Sequence, residues 1–148
     1  MVYGLHKGDM GPAEEEEAIR DIAADLSTAL PEGWTSATYT ADVIGGYMNE
    51  LMQTALADGE TVTARMPRDT GMKTLRLRSG MYKPGKGTWF TMELSLWSNG
   101  KYRCNFNYES EPEFDFDPDE HEYTRELKTF PRNEDFMPEW LQAKATDN

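Results

Sequence analysis

The stretch TWFTMELSLWSNGKYRCNFNY, residues 88–108, leaves little freedom of fold. Phe90, Met92, Leu94 and Leu96 alternate with more polar residues, as do Tyr102, Cys104, Phe106 and Tyr108, and Asn99-Gly100 lies between the two runs. A period of two is the signature of a strand with one wet face, and Asn-Gly marks a chain reversal. The register follows from the side chains. A two-residue Asn-Gly loop would set Leu96 against Arg103 and mix the faces. A three-residue Ser98-Asn99-Gly100 loop sets Leu96 against Tyr102, Leu94 against Cys104 and Met92 against Phe106. Only the second register buries both apolar sets together, because a slip of one residue turns a whole set to the wrong face. Gly100 is then expected in the left-handed region. Trp89 and Trp97 fall on the polar face of their strand, beside Arg103.

The segments around this hairpin follow the same logic. AEEEEAIRDIAADLSTAL predicts a helix, with Ile19, Ile22, Leu26 and Leu30 on one stripe and Glu14 to Glu17 favouring the dipole in the first turn. Pro31 and Gly33 end it. WTSATYTADVI predicts a strand with Ala37, Tyr39, Ala41 and Val43 on one face. In GGYMNELMQTALADG, Met48, Leu51, Met52, Ala55 and Leu56 have helical spacing and predict a short Met-rich helix. ETVTARM and MKTLRLRSGMY predict further strands, the second with Leu75 and Leu77 on one face and Arg76 and Arg78 on the other. HEYTRELKTF fits a strand or a helix. NEDFMPEWLQAK predicts a C-terminal helix with Pro138 in its first turn and Trp140 and Leu141 as docking side chains. The expected fold is α+β in a single domain, an N-terminal helix packed on a mostly antiparallel sheet, with a Met-rich helix insertion and a C-terminal helix. Residues 1–13 read as an irregular start and 14–148 as the domain.

Charge narrows the function. The net charge of −12 is unevenly spread. Residues 1–60 carry twelve acids and two bases, residues 61–108 two acids and nine bases, and residues 109–148 thirteen acids and four bases. EPEFDFDPDEHE, residues 111–122, holds seven acids, and Glu109 makes eight within fourteen residues. An anionic protein is repelled by nucleic acid and anionic membranes and attracted to basic proteins. One cysteine forms no internal disulfide, and the start of the chain has no apolar run of signal-peptide type, so a cytoplasmic protein is expected.

Other chemistries are weaker fits. Asp115, Asp117, Asp119 and Glu126 occupy positions 1, 3, 5 and 12 of a calcium loop, but Glu120 stands where the sharp turn needs glycine and Pro118 lies inside. Two histidines and one cysteine do not make a usual zinc site, and Cys104 falls on an apolar strand face. No nucleophile triad or phosphate loop is present; KPGKG lacks the strand-loop-helix spacing. The expectation is a non-enzyme without cofactor or metal. The rival to a protein-binding role is a nucleic-acid module built from Arg65, Arg68, Lys73, Arg76, Arg78, Lys83, Lys86, Lys101 and Arg103, with Trp89 and Trp97 as stacking platforms. The acidic flanks could instead fold over that basic face and neutralise it.

The hairpin with its Gly100-Lys101 turn, the strand end Phe106, Tyr108, Glu109, and the segment Asp115 to Pro118 resemble the YezG-like immunity proteins of the EsaG type. The N-terminal helix followed by Trp34 and an alternating strand is similar to that family as well. The resemblance implies a cytoplasmic antitoxin that binds the toxin domain of a secreted bacterial toxin, typically a nuclease, and is not an enzyme. It implies a protein partner, with neither nucleic acid nor membrane bound. An acidic inhibitor is drawn to the basic face of a nuclease. The candidate contact residues are Asp115, Asp117, Asp119, Glu120 and Glu122 for steering, with Phe114, Phe116 and Tyr123 as anchors.

Overall fold

The computed structural model describes residues 6–146 and shows a five-stranded antiparallel sheet with four α-helices. Helix α1 (Pro12–Ser27) is followed by strands β1 (Trp34–Ile44), β2 (Tyr47–Leu56) and β3 (Thr61–Thr63), and then by helix α2 (Thr70–Gly80). Strands β4 (Thr91–Trp97) and β5 (Tyr102–Asn107), helix α3 (Glu120–Thr129), a 3-10 turn at Glu134–Phe136 and helix α4 (Glu139–Thr146) complete the chain. The strand order is β3-β2-β1-β4-β5. Helix α1 begins at Pro12, capped by Gly11, whose N–H donates to Glu14 Oε1 at 2.8 Å, so the irregular start is shorter than 1–13. Residues 1–5 of that start, and 147–148, lie outside the described residues.

The hairpin has the register its side chains demand: Leu96 pairs with Tyr102, Leu94 with Cys104 and Met92 with Phe106. Trp97 N–H donates to Lys101 O and Gly100 N–H to Trp97 O, both at 3.0 Å, closing the Ser98-Asn99-Gly100 loop with Gly100 at φ 89°. Strand β1 is as expected. Ala37, Tyr39, Ala41 and Val43 face α1 and α2, where Ile22, Leu26, Leu77, Met52, Met92, Leu94 and Leu96 complete the main core. Cys104 packs against this core, and burial pushes its thiol up to about 12.

Two elements differ from expectation. The Met-rich segment is strand β2, not a helix. It pairs along its length with β1, from Ile44–Tyr47 to Trp34–Leu56, through a two-residue Gly45-Gly46 turn. The inward set is Met52 and Thr54, with Glu50 on the same parity; Leu51 and Gln53 face out. Polar side chains at inward positions hide the period of two. Glu50 is tolerated there because it accepts the Tyr39 hydroxyl at 2.5 Å. Gly45 is required: at φ 58° an added Cβ would lie 2.4 Å from the backbone O of Glu122.

Conversely, the segment with alternating Leu and Arg is helix α2, not a strand. Its buried positions include Thr70, Thr74, Leu77 and Arg78, spaced four, three and one apart. Three of the four are polar, so the apolar pattern alone shows only Leu75 and Leu77 in false alternation. Of ETVTARM, only Thr61–Thr63 forms a strand.

A third correction concerns Trp89 and Phe90. Phe90 N–H donates to Asn107 O at 2.7 Å although Asn107 is paired with Thr91, so the pairing slips by one residue at the start of β4. The slip sends Trp89, fully buried, into the main core, and Phe90 into a second, smaller core with Ile44, Tyr123 and Leu141. Trp89 therefore does not sit on a polar face. Trp97 does: it is 37% exposed, with Arg103 over its ring at 5.8 Å.

Helices α3 and α4 seal the second core. HEYTRELKTF is helical, and Leu141 and Trp140 of α4 dock as expected, Trp140 edge-on to Phe90 at 4.9 Å between centroids.

Candidate functional site

The acidic ribbon, residues 108–119, has no regular secondary structure, yet it is tied down at several points. The Asn107 side chain accepts the N–H groups of Glu109 and Ser110 and donates to Ser110 O. Trp140 Nε1 donates to Glu109 O at 2.7 Å, and Glu111 is paired with Lys144. Pro112 and Pro118 are buried. Further along, the Phe114 ring stands edge-on to Tyr47 at 5.1 Å, and the Tyr47 hydroxyl donates to Phe116 O at 2.9 Å. Asp119 caps α3, its backbone O accepting Glu122 N–H, and lies 3.1 Å from His121 Nδ1. The backbone anchors at Glu109, Ser110 and Phe116 hold the chain without consuming those side chains.

The outcome divides the candidate residues. Asp115, Phe116, Asp117, Asp119 and Glu120 are exposed, and Phe116 at 80% is the most exposed large apolar side chain among the described residues. Glu109, Glu113, Asp115 and Asp117 have no ion-pair partner among the described residues. Phe114 is half-buried against the second core. Glu122 turns inward, accepting Gly46 N–H at 2.9 Å and lying 3.4 Å from Arg125. Tyr123 is 5% exposed, inside the second core and beneath Lys144. It is a core residue, not a docking anchor: position 123 lies in the first turn of a helix whose inner face meets Ile44 and Phe90, which the alternation of Phe and Asp upstream does not reveal.

The ribbon is not clamped onto the bases of the middle third. Lys73 pairs with Asp21 at 3.1 Å and Asp25 at 2.7 Å, and Arg76 with Asp9 at 2.8 Å, so α2 is neutralised by α1 and the segment before it. Arg78 is fully buried against Glu126 at 2.7 Å. Because residues 70–80 are helical, Arg76 and Arg78 do not join Arg103 on one basic sheet face. Glu126, the twelfth position of the calcium pattern, is committed to Arg78 and to Gly45 N–H, and among the described residues no group of three or more His, Cys, Asp or Glu could hold a metal ion.

Beside the ribbon, Asp42 on the outward parity of β1 is nine-tenths buried. Burial pushes its carboxyl above the ordinary aspartate range, Glu113 and Asp115 push the same way, and the Thr91 hydroxyl, donating at 2.7 Å, opposes them. A raised folded-state pKa means that this site contributes most below its unfolded value of about 4 and loses that contribution as pH rises through the folded value. Asp42→Asn keeps an acceptor for Thr91. It is expected to raise the thermal midpoint at pH 7, with the gain shrinking towards pH 4 in calorimetric scans. A gain independent of pH would mean that charge at Asp42 is not the cause.

Beyond the ribbon, alternation turns Ser36, Thr38 and Thr40 of β1, Glu93 and Ser95 of β4, and Arg103 and Asn105 of β5 to the sheet face opposite the main core. Among the described residues no helix is long and apolar enough to cross a membrane. No protein-family model matches the chain, and no curated protein matches it.

Proposed function

We propose that this chain is an immunity protein that neutralises a secreted nuclease toxin by direct contact, acting in the cytoplasm as a stoichiometric inhibitor and not as a catalyst. The observation that carries the reading is an exposed aromatic ring, Phe116, standing among Asp115, Asp117, Asp119 and Glu120 on an anchored backbone. A buried contact at the centre of an interface supplies most affinity, and charges around it supply encounter rate. The resemblance of residues 88–122 to the YezG-like immunity proteins supports the same role. A nuclease must approach a polyanion, so its active region offers positive charge to this surface.

The test is a stopped-flow association measurement with a candidate nuclease domain encoded beside this chain. Reversing Asp115, Asp117 and Asp119 to Lys is expected to slow association by about tenfold or more at low salt, since steering raises on-rates by roughly ten- to a thousandfold. The difference should shrink as salt approaches 0.5 M, roughly where the Debye length falls to a few ångströms. Unchanged association at low salt would remove the ribbon as the contact surface, and absence of any complex with the nuclease would remove the reading itself.

A further inference from the structure

Beside the start of the ribbon, an open-mouthed cleft of about 930 Å³ lies between the Lys83–Gly87 turn and the segment joining the 3-10 turn to α4. Its lining is mostly apolar, with Phe136, Met137 and Trp140 at its heart. That volume falls within the range of small-molecule sites, roughly 300–1,000 Å³. Phe136 is 43% exposed, so the floor is partly uncovered.

The polar groups are disposed unequally. Lys83, Lys86 and Arg132 are its basic lining residues, and none of them is in an ion pair among the described residues. Lys86 Nζ stands 5.5 Å from the centre of the Phe136 ring. Arg132 is immobilised by backbone carbonyls, donating to Thr88 O at 2.6 Å, Phe136 O at 2.9 Å and Tyr108 O at 3.1 Å. Its Nε is buried without a partner, against Gly87. Glu109, Asp135 and Glu139 also border the cleft; like Lys83 and Lys86 they are exposed, so solvent screens both signs at the rim. Arg132, half-buried, is screened less. The least screened charge of the lining is thus that of Arg132, beside an aromatic floor.

The geometry points to a binding site for a small aromatic anion, a carboxylate or sulfonate on a flat ring system. The ring would lie on Phe136 and Trp140, and the charged end would face Arg132, with Lys83 and Lys86 at the rim. This site is independent of the toxin-binding reading, since it uses none of Asp115, Phe116, Asp117, Asp119 and Glu120.

Fluorescence titration with anilinonaphthalene sulfonate tests it, with uncharged phenylnaphthylamine as the matched neutral dye. Saturable one-to-one binding of the sulfonate is expected. Lys83→Glu with Lys86→Glu, both exposed and neither in an ion pair among the described residues, is expected to weaken the sulfonate about tenfold or more, and the neutral dye less than twofold. Phe136→Ala should weaken both dyes. No saturable sulfonate binding overturns the proposal. So does sulfonate binding that the two lysine reversals leave unchanged, or equal weakening of the two dyes, which would mark a merely apolar patch.

Discussion

Glu126→Ala is expected to destabilise the protein by about 3–5 kcal/mol, a large part of the roughly 5–15 kcal/mol that holds a domain together. The carboxylate is fully buried and has two commitments. Oε2 takes a hydrogen bond from Arg78 Nη2 at 2.7 Å, and Oε1 takes one from Gly45 N–H at 2.9 Å. Arg78 is equally buried, donates from Nε to Trp89 O at 2.6 Å and lies over the rings of Phe130 and Trp89. Through this one pair α2, α3 and the β1–β2 turn are joined. Removing the carboxylate strands a guanidinium in the interior and leaves the Gly45 N–H unsatisfied. Urea titration should show the loss, and the thermal midpoint should fall by about 10 °C, at roughly 2–4 °C per kcal/mol for a chain of this size. The pair Arg78→Met with Glu126→Leu removes both charges. It is expected to be more stable than Glu126→Ala alone, because the penalty lies in the uncompensated charge more than in the lost attraction. A Glu126→Ala protein within 1 kcal/mol of the parent would show that water reaches Arg78.

Phe116→Ala is expected to separate binding from folding. The ring is 80% exposed, so its removal should change stability by less than about 0.5 kcal/mol. If the ribbon docks onto a nuclease as proposed, the same change should weaken the complex by about 2 kcal/mol or more, roughly thirtyfold in Kd. Phe114→Ala should do the reverse. Its ring packs edge-on against Tyr47 in the second core, and its loss should appear in urea titration first. Calorimetric titration of the complex, beside urea curves of the free variants, measures both quantities. Equal affinity of Phe116→Ala and the parent for the nuclease would leave charge alone as the ribbon's contribution and remove the anchor from the reading.

The divided fate of these two phenylalanines shows how far the sequence is legible. That a dense run of carboxylates follows the hairpin is visible in the letters. That position 116 points to solvent while 114 turns in is not, because the segment has no period to extrapolate. The Tyr47 hydroxyl, sixty-nine residues away in the chain, holds Phe116 O and sets the choice. Tyr123 was legible as an aromatic among acids, and its burial becomes apparent only when α3 is set against Ile44 and Phe90. The cleft under Lys86 had no signal at all beyond a Gly-rich turn, since its walls come from three separated stretches of chain.

Where side-chain chemistry agrees with geometry, local pattern was sufficient. Helix α1, strand β1 and the β4–β5 hairpin, down to its three-residue loop, are written in apolar spacing and turn residues, and these determine an α+β domain with an antiparallel sheet. Tertiary structure decided β2 and α2. Each carries polar residues on its inner face, Glu50 and Thr54 in the strand, Thr70, Thr74 and Arg78 in the helix. A carboxylate or guanidinium taken out of water needs a partner beside it. The partners of Glu50 and Arg78 are Tyr39 and Glu126, 11 and 48 residues away and outside the segments themselves, so the apolar pattern of each segment alone does not show its period.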